Sequence, residues 1–361
     1  MRILHLNHGY GGGGGAETYL RRLARLQRDH GDVVAVLAAE GASPVEPDQG
    51  IELQRIEPRA KLRFAQIGLG SLRRRIDALR PDVIHLHNVL RLLNPWALDE
   101  LRRIAPLVWS LHDLELIAPL EQPSPPGYGW KLERWRGRAR RTALVVPSEF
   151  LLRRIQPLRS ANRIELLAPF GAPLHLGPPQ EPATVLYLGG RRIEKGLHEL
   201  LAALGLLQEW RVGFRAILVG DQIECAIPAY QQAALGDQLE LNAPVDEDGL
   251  TLLLRRAAVV VFPSLLPESF GLAGFEGCCA GRPVVGYDSG AVREWLLPGE
   301  NGYLVRAGDQ RALAEALARC LHDPSAARAL GEAGRRRVAE RHRPEDHLEA
   351  LRAIYAEAGR G

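Results

Sequence analysis

The sequence has few cysteines and no long apolar run. Only four of its 361 residues are cysteine, and the adjacent pair Cys278 and Cys279 matches neither metal-ligand spacing nor a disulfide framework. No stretch approaches the roughly 18 apolar residues of a membrane-spanning helix, and the first residues lack the apolar region of a secretion signal. We therefore expect a protein of the reducing cytoplasm that does not cross a membrane.

Lysine is scarce although positive charge is plentiful. It occurs at positions 61, 131 and 195, so 43 of the 46 basic residues are arginine. A lysine against this background indicates a place where a compact charge is needed. Lys195 follows a glycine-containing loop and precedes a predicted helix, and we interpret it as a ligand of a phosphate oxygen. The alternative is a surface lysine at a helix start.

Length and composition predict two domains. A chain of 361 residues with 46% hydrophobic content exceeds one ordinary core. Proline and glycine crowd together at residues 177–182 without apolar periodicity, which is typical of a linker. We therefore predict domains at residues 1–175 and 176–343, followed by a C-terminal helix at 344–361.

Both halves have the pattern of a doubly wound α/β sheet. In the first half, a strand, a glycine-rich loop and an amphipathic helix follow one another over residues 3–26, as in a Rossmann unit. Apolar stretches typical of parallel strands occur at residues 3–7, 33–37, 82–87, 107–112, 184–188, 216–219, 239–241, 259–262 and 284–285. Since ligands of such sheets bind at the carboxyl ends of strands, we expect the site there.

The most informative segment follows the strand at residues 259–262. Seven residues separate Glu268 from Glu276, and Ser269 is expected to cap a helix from about 270 to 280. The amides of Phe270, Gly271 and Leu272 would then point at an anion such as a pyrophosphate. Glu276 could accept both hydroxyls of a ribose, and Glu268 could face the group attached to the distal phosphate.

This segment resembles the Glu-x7-Glu signature of the retaining family 4 glycosyltransferases. The resemblance includes Phe-Pro-Ser at 262–264, Ser-Phe-Gly at 269–271, Gly-Arg-Pro-Val-Val at 281–285 and Asn-Gly-Tyr-Leu-Val at 301–305. It implies the α/β GT-B fold, in which two Rossmann-like, doubly wound domains face a central cleft. It also implies that the C-terminal helix returns to the N-terminal, acceptor-side domain, while the second domain binds the donor.

The resemblance also implies roles for individual residues. The implied catalytic set is Glu268, Lys195, Arg191 and His112, and the implied donor-binding set is Gly14, Gly15, Arg192, Val245, Phe270, Gly271, Leu272 and Glu276. The family places an arginine five residues before the lysine, where this chain has Gly190. Arg191 and Arg192 are therefore both candidates for the diphosphate, with Arg191 slightly favoured.

The implied activity is transfer of a sugar from a nucleoside-diphosphate sugar to an acceptor hydroxyl, with retention of anomeric configuration and without a metal or cofactor. Such activity serves polysaccharide or glycoconjugate biosynthesis, with a sugar, lipid-linked or small-molecule acceptor. The alternatives are another GT-B enzyme, such as a nucleotide-sugar epimerase or sugar phosphorylase, and a non-catalytic module that binds a sugar nucleotide or lipid head group.

Charge divides unevenly between the halves. Residues 1–175 contain 26 Lys+Arg against 18 Asp+Glu, whereas residues 176–361 contain 20 against 25. Two basic segments, 61–80 and 130–141, suggest peripheral contact with the inner face of a membrane, and the second also contains two tryptophans. A solvated basic surface is the default explanation, and nucleic acid is not an expected partner.

Overall fold

The computed structural model describes residues 1–10, 14–39, 48–56, 69–90, 92–116, 128–181 and 183–360, with the side chains of residues 56, 69–72, 128–131, 157 and 230 left out. Parts of two predicted features, the glycine loop at 11–13 and the basic segment at 61–68, lie outside these ranges. The chain forms two compact units. The first comprises Met1–Pro169 and Pro344–Gly361, and the second comprises Phe170–Arg343.

The first unit is built on a seven-stranded parallel sheet in the order β3-β2-β1-β4-β5-β6-β7. The strands are β1 (Arg2–Asn7), β2 (Val33–Ala39), β3 (Ile51–Ile56), β4 (Val83–Leu86), β5 (Leu107–Ser110), β6 (Ala143–Val146) and β7 (Ile164–Leu166). The order reverses between β1 and β4, so their carboxyl ends form a topological switch point.

Helices complete the first unit. They are α1 (Gly15–Asp29), α2 (Leu69–Leu79), α3 (Ala97–Arg102), α4 (Tyr128–Ala139), α5 (Glu149–Arg154) and, from the end of the chain, α13 (Pro344–Ala358). Helix α1 begins just after the extended Gly14 and buries Tyr19, Leu20 and Leu23. Four-residue strands such as β4 and β5 are buried along their whole length because the sheet is covered on both faces.

The second unit contains a six-stranded parallel sheet in the order β10-β9-β8-β11-β12-β13. Its strands are β8 (Thr184–Leu188), β9 (Arg215–Val219), β10 (Leu239–Asn242), β11 (Val259–Phe262), β12 (Val284–Tyr287) and β13 (Gly302–Val305). Taken in sequence this is the order 3-2-1-4-5-6 of dinucleotide-binding folds, with its switch point between β8 and β11.

The helices of the second unit are α6 (Leu197–Glu209), α7 (Ala229–Leu235), α8 (Glu247–Arg256), α9 (Leu272–Cys279), α10 (Val292–Trp295), α11 (Gln310–His322) and α12 (Pro324–Arg341). The two doubly wound sheets confirm the predicted fold class. Within the described part of the chain, no helix combines the length and apolarity needed to span a membrane.

Candidate functional site

Two loops meet at the switch point of the second sheet. The loop after β8 carries Lys195 and the loop after β11 carries Glu268, and Lys195 Nζ lies 2.7 Å from Glu268 Oε1. The Ser264 hydroxyl donates to the same oxygen at 2.5 Å. The side chains of Lys195 and Glu268 are 29% and 12% exposed. The structure therefore brings together two predicted site residues that are distant in sequence.

The backbone fixes this pairing. The Leu265 amide donates to the Glu194 carbonyl at 2.9 Å, which ties one loop to the other. Gly196 has a φ of 75°, and a Cβ there would overlap the carbonyl oxygen of Pro263. Only glycine tolerates both the left-handed backbone and this close approach. Lys195 is consequently held at a fixed point against the second loop.

Helix α9 starts later than predicted. The sequence placed its cap at Ser269 and its start near Phe270, but the N-cap is Gly271, with a φ of 91° and no capping side chain. The left-handed Gly271 interrupts helical geometry before Leu272, so the prediction of a Ser269 cap was wrong. The Phe270 carbonyl instead accepts from Trp295 Nε1 at 2.6 Å, which anchors the chain entering the helix.

Helix α9 also buries the second glutamate. Glu276 is only 6% exposed, which is unusual for a carboxylate. Gly274 lies two residues after the first residue of α9. A Cβ on Gly274 would come within 2.8 Å of Phe262 and Trp295, so packing within the unit accounts for this glycine.

Three further predicted residues lie on the surface of the second unit. Arg191 and Arg192 are both exposed in the loop after β8, and Arg192 lies 3.5 Å from Glu194. Val245 is 39% exposed between β10 and α8. Directly after it, the Asp246 side chain accepts from the Gly249 amide at 2.9 Å and caps α8. Residues 246–248 have the sequence Asp-Glu-Asp, and the first of these aspartates serves as the helix cap.

The other predicted residues belong to the first unit. Gly14 is the exposed N-cap of α1 and Gly15 is its first residue. A Cβ on Gly14 would overlap the Glu17 carboxylate, so glycine is required there by the first turn itself. His112 follows β5 and is partly exposed, at the same carboxyl edge of the sheet.

His112 terminates a cluster of buried polar side chains that we call the histidine network. Its ring is stacked on His87 with centroids 5.1 Å apart, and Tyr19 lies 5.2 Å away. The hydrogen bonds of the network are His112 Nε2 to His87 Nδ1 (2.8 Å), His87 Nε2 to His5 Nδ1 (3.0 Å), His5 Nε2 to Gln27 Oε1 (2.7 Å), Gln27 Nε2 to Tyr355 (3.1 Å), Tyr355 to His85 Nδ1 (2.7 Å), His85 Nε2 to Ser110 (2.8 Å) and Tyr19 to His347 Nε2 (2.8 Å).

Burial keeps these histidines neutral. Desolvation lowers the pKa of His5 and of His112 to about 4, and lowers the pKa of His85 and His87 well below the ordinary value. The ligand atoms of His5, His85 and His87 lie within 4.8 Å of one another, so these three residues could in principle hold a metal ion. They would have to give up hydrogen bonds such as the one between His5 and His87.

An arginine-lined cavity lies on the first unit. It has a volume of about 630 Å³ and is lined by Asp99, Arg102, Arg134, Gly137, Arg138, Arg140 and Arg141. Beside it, the ring of Trp96 is 42% exposed and lies 5.1 Å and 5.2 Å from the guanidinium carbons of Arg134 and Arg138. This surface includes the arginines of the predicted basic segment at 130–141.

Several residues of these clusters were missed by sequence reasoning. Ser264 bonds to Glu268, and Trp295 anchors the chain entering α9. Ser264 was noted only as part of the Phe-Pro-Ser motif, which does not reveal its partner, and Trp295 was not singled out. A signal for the histidine network was present: His85 and His87 alternate on one face of a strand, and His5 is the register partner of His85. Two polar residues on one face of an otherwise apolar strand indicate a buried polar cluster.

Comparison with known proteins identifies the family. The model described as Glycosyltransferase Family 4 matches residues 13–170, and the one described as Glycosyl transferases group 1 matches residues 175–337. A phosphatidyl-myo-inositol mannosyltransferase of Mycobacterium leprae is 29% identical over 327 residues, covering 86% of this chain and 84% of that protein.

Solved structures share the fold. Sucrose-phosphate synthase from Thermosynechococcus elongatus has a TM-score of 0.78 at 22% identity, and Anabaena HepE in complex with UDP and glucose has 0.74 at 18%. Each comparison covers 99% of both chains. These structures show the GT-B fold, and the two family models show that the protein is a glycosyltransferase. It belongs to glycosyltransferase family 4, which confirms the predicted family.

Proposed function

We propose that this glycosyltransferase takes its sugar from a nucleoside-diphosphate sugar and transfers it to an acceptor hydroxyl with retention of configuration, without requiring a metal ion. The observation that carries the donor assignment is the 2.7 Å pair between Lys195 and Glu268. It lies at the switch point of the second sheet, four residues before α9, where open α/β sheets bind nucleotides. HepE, which has the same fold, is in complex with UDP and glucose, and this supports the proposal.

Charge at this position suits a leaving diphosphate. Negative charge accumulates on the diphosphate as the glycosidic bond breaks, and a positive group fixed beforehand stabilises that charge without reorganising. Lys195 supplies a full charge. The first amides of α9, at Leu272 and the residues before it, add the partial positive charge of a helix N-terminus. These groups offer the same electrostatic stabilisation that a divalent ion would supply.

Glu268 positions the lysine in this scheme. An ammonium group has three N–H donors, so after one bond to Glu268 Oε1 two remain for phosphate oxygens. The hydroxyl of Ser264 donates a hydrogen bond to the same carboxylate oxygen. The second carboxylate oxygen of Glu268 would accept a hydroxyl of the transferred sugar.

The other predicted residues are assigned to the remaining parts of the proposed donor and to the acceptor. Buried Glu276 would accept the ribose hydroxyls, and exposed Val245 would contact the base. Arg191 or Arg192 would reach the diphosphate, since the surface pair of Arg192 with Glu194 is weak enough to exchange partners. In the first unit, the start of α1 at Gly14 and Gly15, together with His112, would serve the sugar and the acceptor.

A product assay tests the proposal. The protein is incubated in EDTA with UDP-, GDP- and ADP-sugars and candidate sugar and lipid acceptors, and the anomeric configuration of any glycoside is read from proton NMR couplings. We expect a glycoside with the configuration of the donor. A glycoside of inverted configuration, or activity that EDTA abolishes and Mg²⁺ or Mn²⁺ restores, would reject retention or metal independence. An epimer or a sugar phosphate as product would reject glycosyl transfer from this donor.

We also propose that the first unit contacts an anionic membrane surface through its arginine-lined cavity. The 630 Å³ cavity is lined by five arginines against a single carboxylate, and the exposed Trp96 lies beside it. Arginine and tryptophan are the residues that favour the headgroup region of a bilayer. The name of the Mycobacterium leprae relative contains a phosphatidyl lipid, which supports a lipid-linked acceptor as one class to test.

A further inference from the structure

The histidine network has a direction, and its fixed end is a main-chain carbonyl. The Ala168 carbonyl can only accept, so His347 must carry its proton on Nδ1, which lies 2.9 Å from that oxygen. A neutral His347 then has a lone pair on Nε2. Tyr19, 2.8 Å away, must therefore donate its hydroxyl proton to His347.

The next links follow from the single proton of each hydroxyl. Since the Tyr19 proton points at His347, the hydrogen bond between Tyr19 and Ser110 needs the Ser110 proton. Ser110 can consequently only accept from His85, whose Nε2 lies 2.8 Å from its oxygen. His85 is thus protonated on Nε2 and accepts on Nδ1 from the hydroxyl of Tyr355 at 2.7 Å.

The side-chain amide of Gln27 then determines the donor and acceptor roles of the His5 and His87 rings. Because the Tyr355 proton points at His85, its oxygen accepts from Gln27 Nε2 at 3.1 Å, which turns Gln27 Oε1 toward His5. This oxygen requires a proton on Nε2 of His5. His5 Nδ1 is then an acceptor for His87 Nε2–H at 3.0 Å.

The last link reaches His112. With its proton on Nε2, His87 presents a lone pair on Nδ1, and His112 must donate to it from Nε2 at 2.8 Å. Reversing any one link would leave two lone pairs or two protons facing each other in a buried environment, which is costly. These directions require neutral rings. Burial favours the neutral form of each ring, since it lowers the pKa values of His5, His85, His87 and His112 and since His347 is only 4% exposed.

We propose that the Ala168 carbonyl, acting through this chain of hydrogen bonds, fixes His112 in the Nε2–H tautomer and so makes its Nδ1 an obligatory hydrogen-bond acceptor. His5, His85, His87, Gln27 and Tyr355 are positioning residues in this sense. A ligand group that meets His112 Nδ1 must be a donor, such as a sugar hydroxyl, and cannot be a ring oxygen or a phosphate oxygen. This last consequence rests on the proposed function, whereas the tautomer itself does not.

Nitrogen-15 NMR of the histidine rings in the full, ligand-free protein tests the tautomer. His112→Gln identifies the His112 signals by their loss. We expect the wild-type His112 to carry its proton on Nε2 alone. Tyr355→Phe removes a link remote from His112, so both directions become possible and the His112 nitrogens should shift toward the average of the two tautomers. Ile354→Val, which removes a buried methyl group from the same helix and no link, should leave them unchanged.

A proton on Nδ1 of wild-type His112 would overturn the inference, as would a pure Nε2–H tautomer in folded Tyr355→Phe. Ser110→Ala breaks another link with little change of volume and replaces Tyr355→Phe if that variant does not fold. An equal mixture of tautomers leaves half of the molecules competent, so the apparent affinity for the donor sugar should fall about twofold. If the NMR result stands while His112→Gln retains full activity, the assignment of His112 to the donor or acceptor is wrong and the tautomer inference survives.

Discussion

The pair between Lys195 and Glu268 allows a quantitative test of how this site stabilises charge. We consider Lys195→Met, Glu268→Gln and the double variant. Methionine keeps the length and apolar stem of lysine without its charge, and glutamine keeps the shape of glutamate. If Glu268 acts by holding Lys195, the two substitutions should not be additive.

The expected magnitudes follow from the contacts. Loss of a preorganised charged donor at a developing negative charge costs about 10²–10³-fold in kcat, and we expect this of Lys195→Met. Glu268→Gln replaces the 2.7 Å ion pair by a hydrogen bond from the ammonium to a neutral amide oxygen, which weakens the hold on Lys195. Since the pair is partly exposed, we expect about a tenfold loss in kcat. In the Lys195→Met background, Glu268→Gln should cost about twofold or less, which gives a coupling energy near 1 kcal/mol.

The assay is steady-state transfer with a saturating acceptor and varied donor, normalised to folded protein. Glu240→Gln is the matched control. Glu240 also pairs with a cation, since its Oε2 lies 2.5 Å from Arg256 Nη2, but it lies on β10 at the edge of the sheet. This variant should lose stability and keep its turnover per folded molecule. Equal losses from Glu268→Gln in both backgrounds would refute the idea that Glu268 acts through Lys195.

Four further predictions concern other parts of the chain. Glu276→Gln should raise the KM for the donor more than it lowers kcat, because a ribose contact is shared by the ground and transition states, and its effect on kcat should be smaller than that of Glu268→Gln; normal kinetics in both folded variants would reject the site. Arg256 lowers the pKa of Glu240 to about 2, mainly through a hydrogen bond. The contribution of Glu240 to stability is therefore present above its ordinary pKa and is lost as the pH falls toward 2. The difference in unfolding free energy between wild type and Glu240→Gln should shrink over that pH range. Gly196→Ala should destabilise the second unit by more than 1 kcal/mol in denaturant titrations, since the residue has a positive φ and faces the Pro263 carbonyl; unchanged stability would contradict the described contact. The protein should sediment with anionic vesicles at low salt and not with neutral ones, and absence from the pellet in both cases would end the membrane proposal.

The strands were predictable because their signal is local. The run at 259–262 and the stretch at 184–188 are apolar enough to identify buried parallel strands, and the structure has β11 and β8 at those positions. The start of α9 was not predictable in the same way. Ser269 has the composition of an N-cap, but the left-handed conformation of Gly271 decides the boundary, and a glycine alone does not reveal its φ.

Contacts between distant residues were beyond sequence reasoning. Lys195 and Glu268 were each singled out for a ligand, but their mutual pairing depends on two loops meeting across a switch point. The histidine network joins residues from β1, β4, α1 and α13, and its members become neighbours only through the register of the sheet and the return of the last helix. The alternation of His85 and His87 can signal a buried polar cluster, but the other members of the cluster cannot be identified before the topology is known.

The return of α13 to the first unit has a consequence for synthesis of the chain. Residues 170–343 emerge from the ribosome between the two parts of this unit. At 5–20 residues per second, this interval is on the order of ten to thirty seconds. During that time the nascent first sheet lacks Tyr355, so the amide of Gln27 and the ring of His85 remain without this partner, and Tyr19 remains without His347. Folding of the first unit therefore finishes after the second unit has been synthesised, and this delay gives chaperones a defined interval in which to bind.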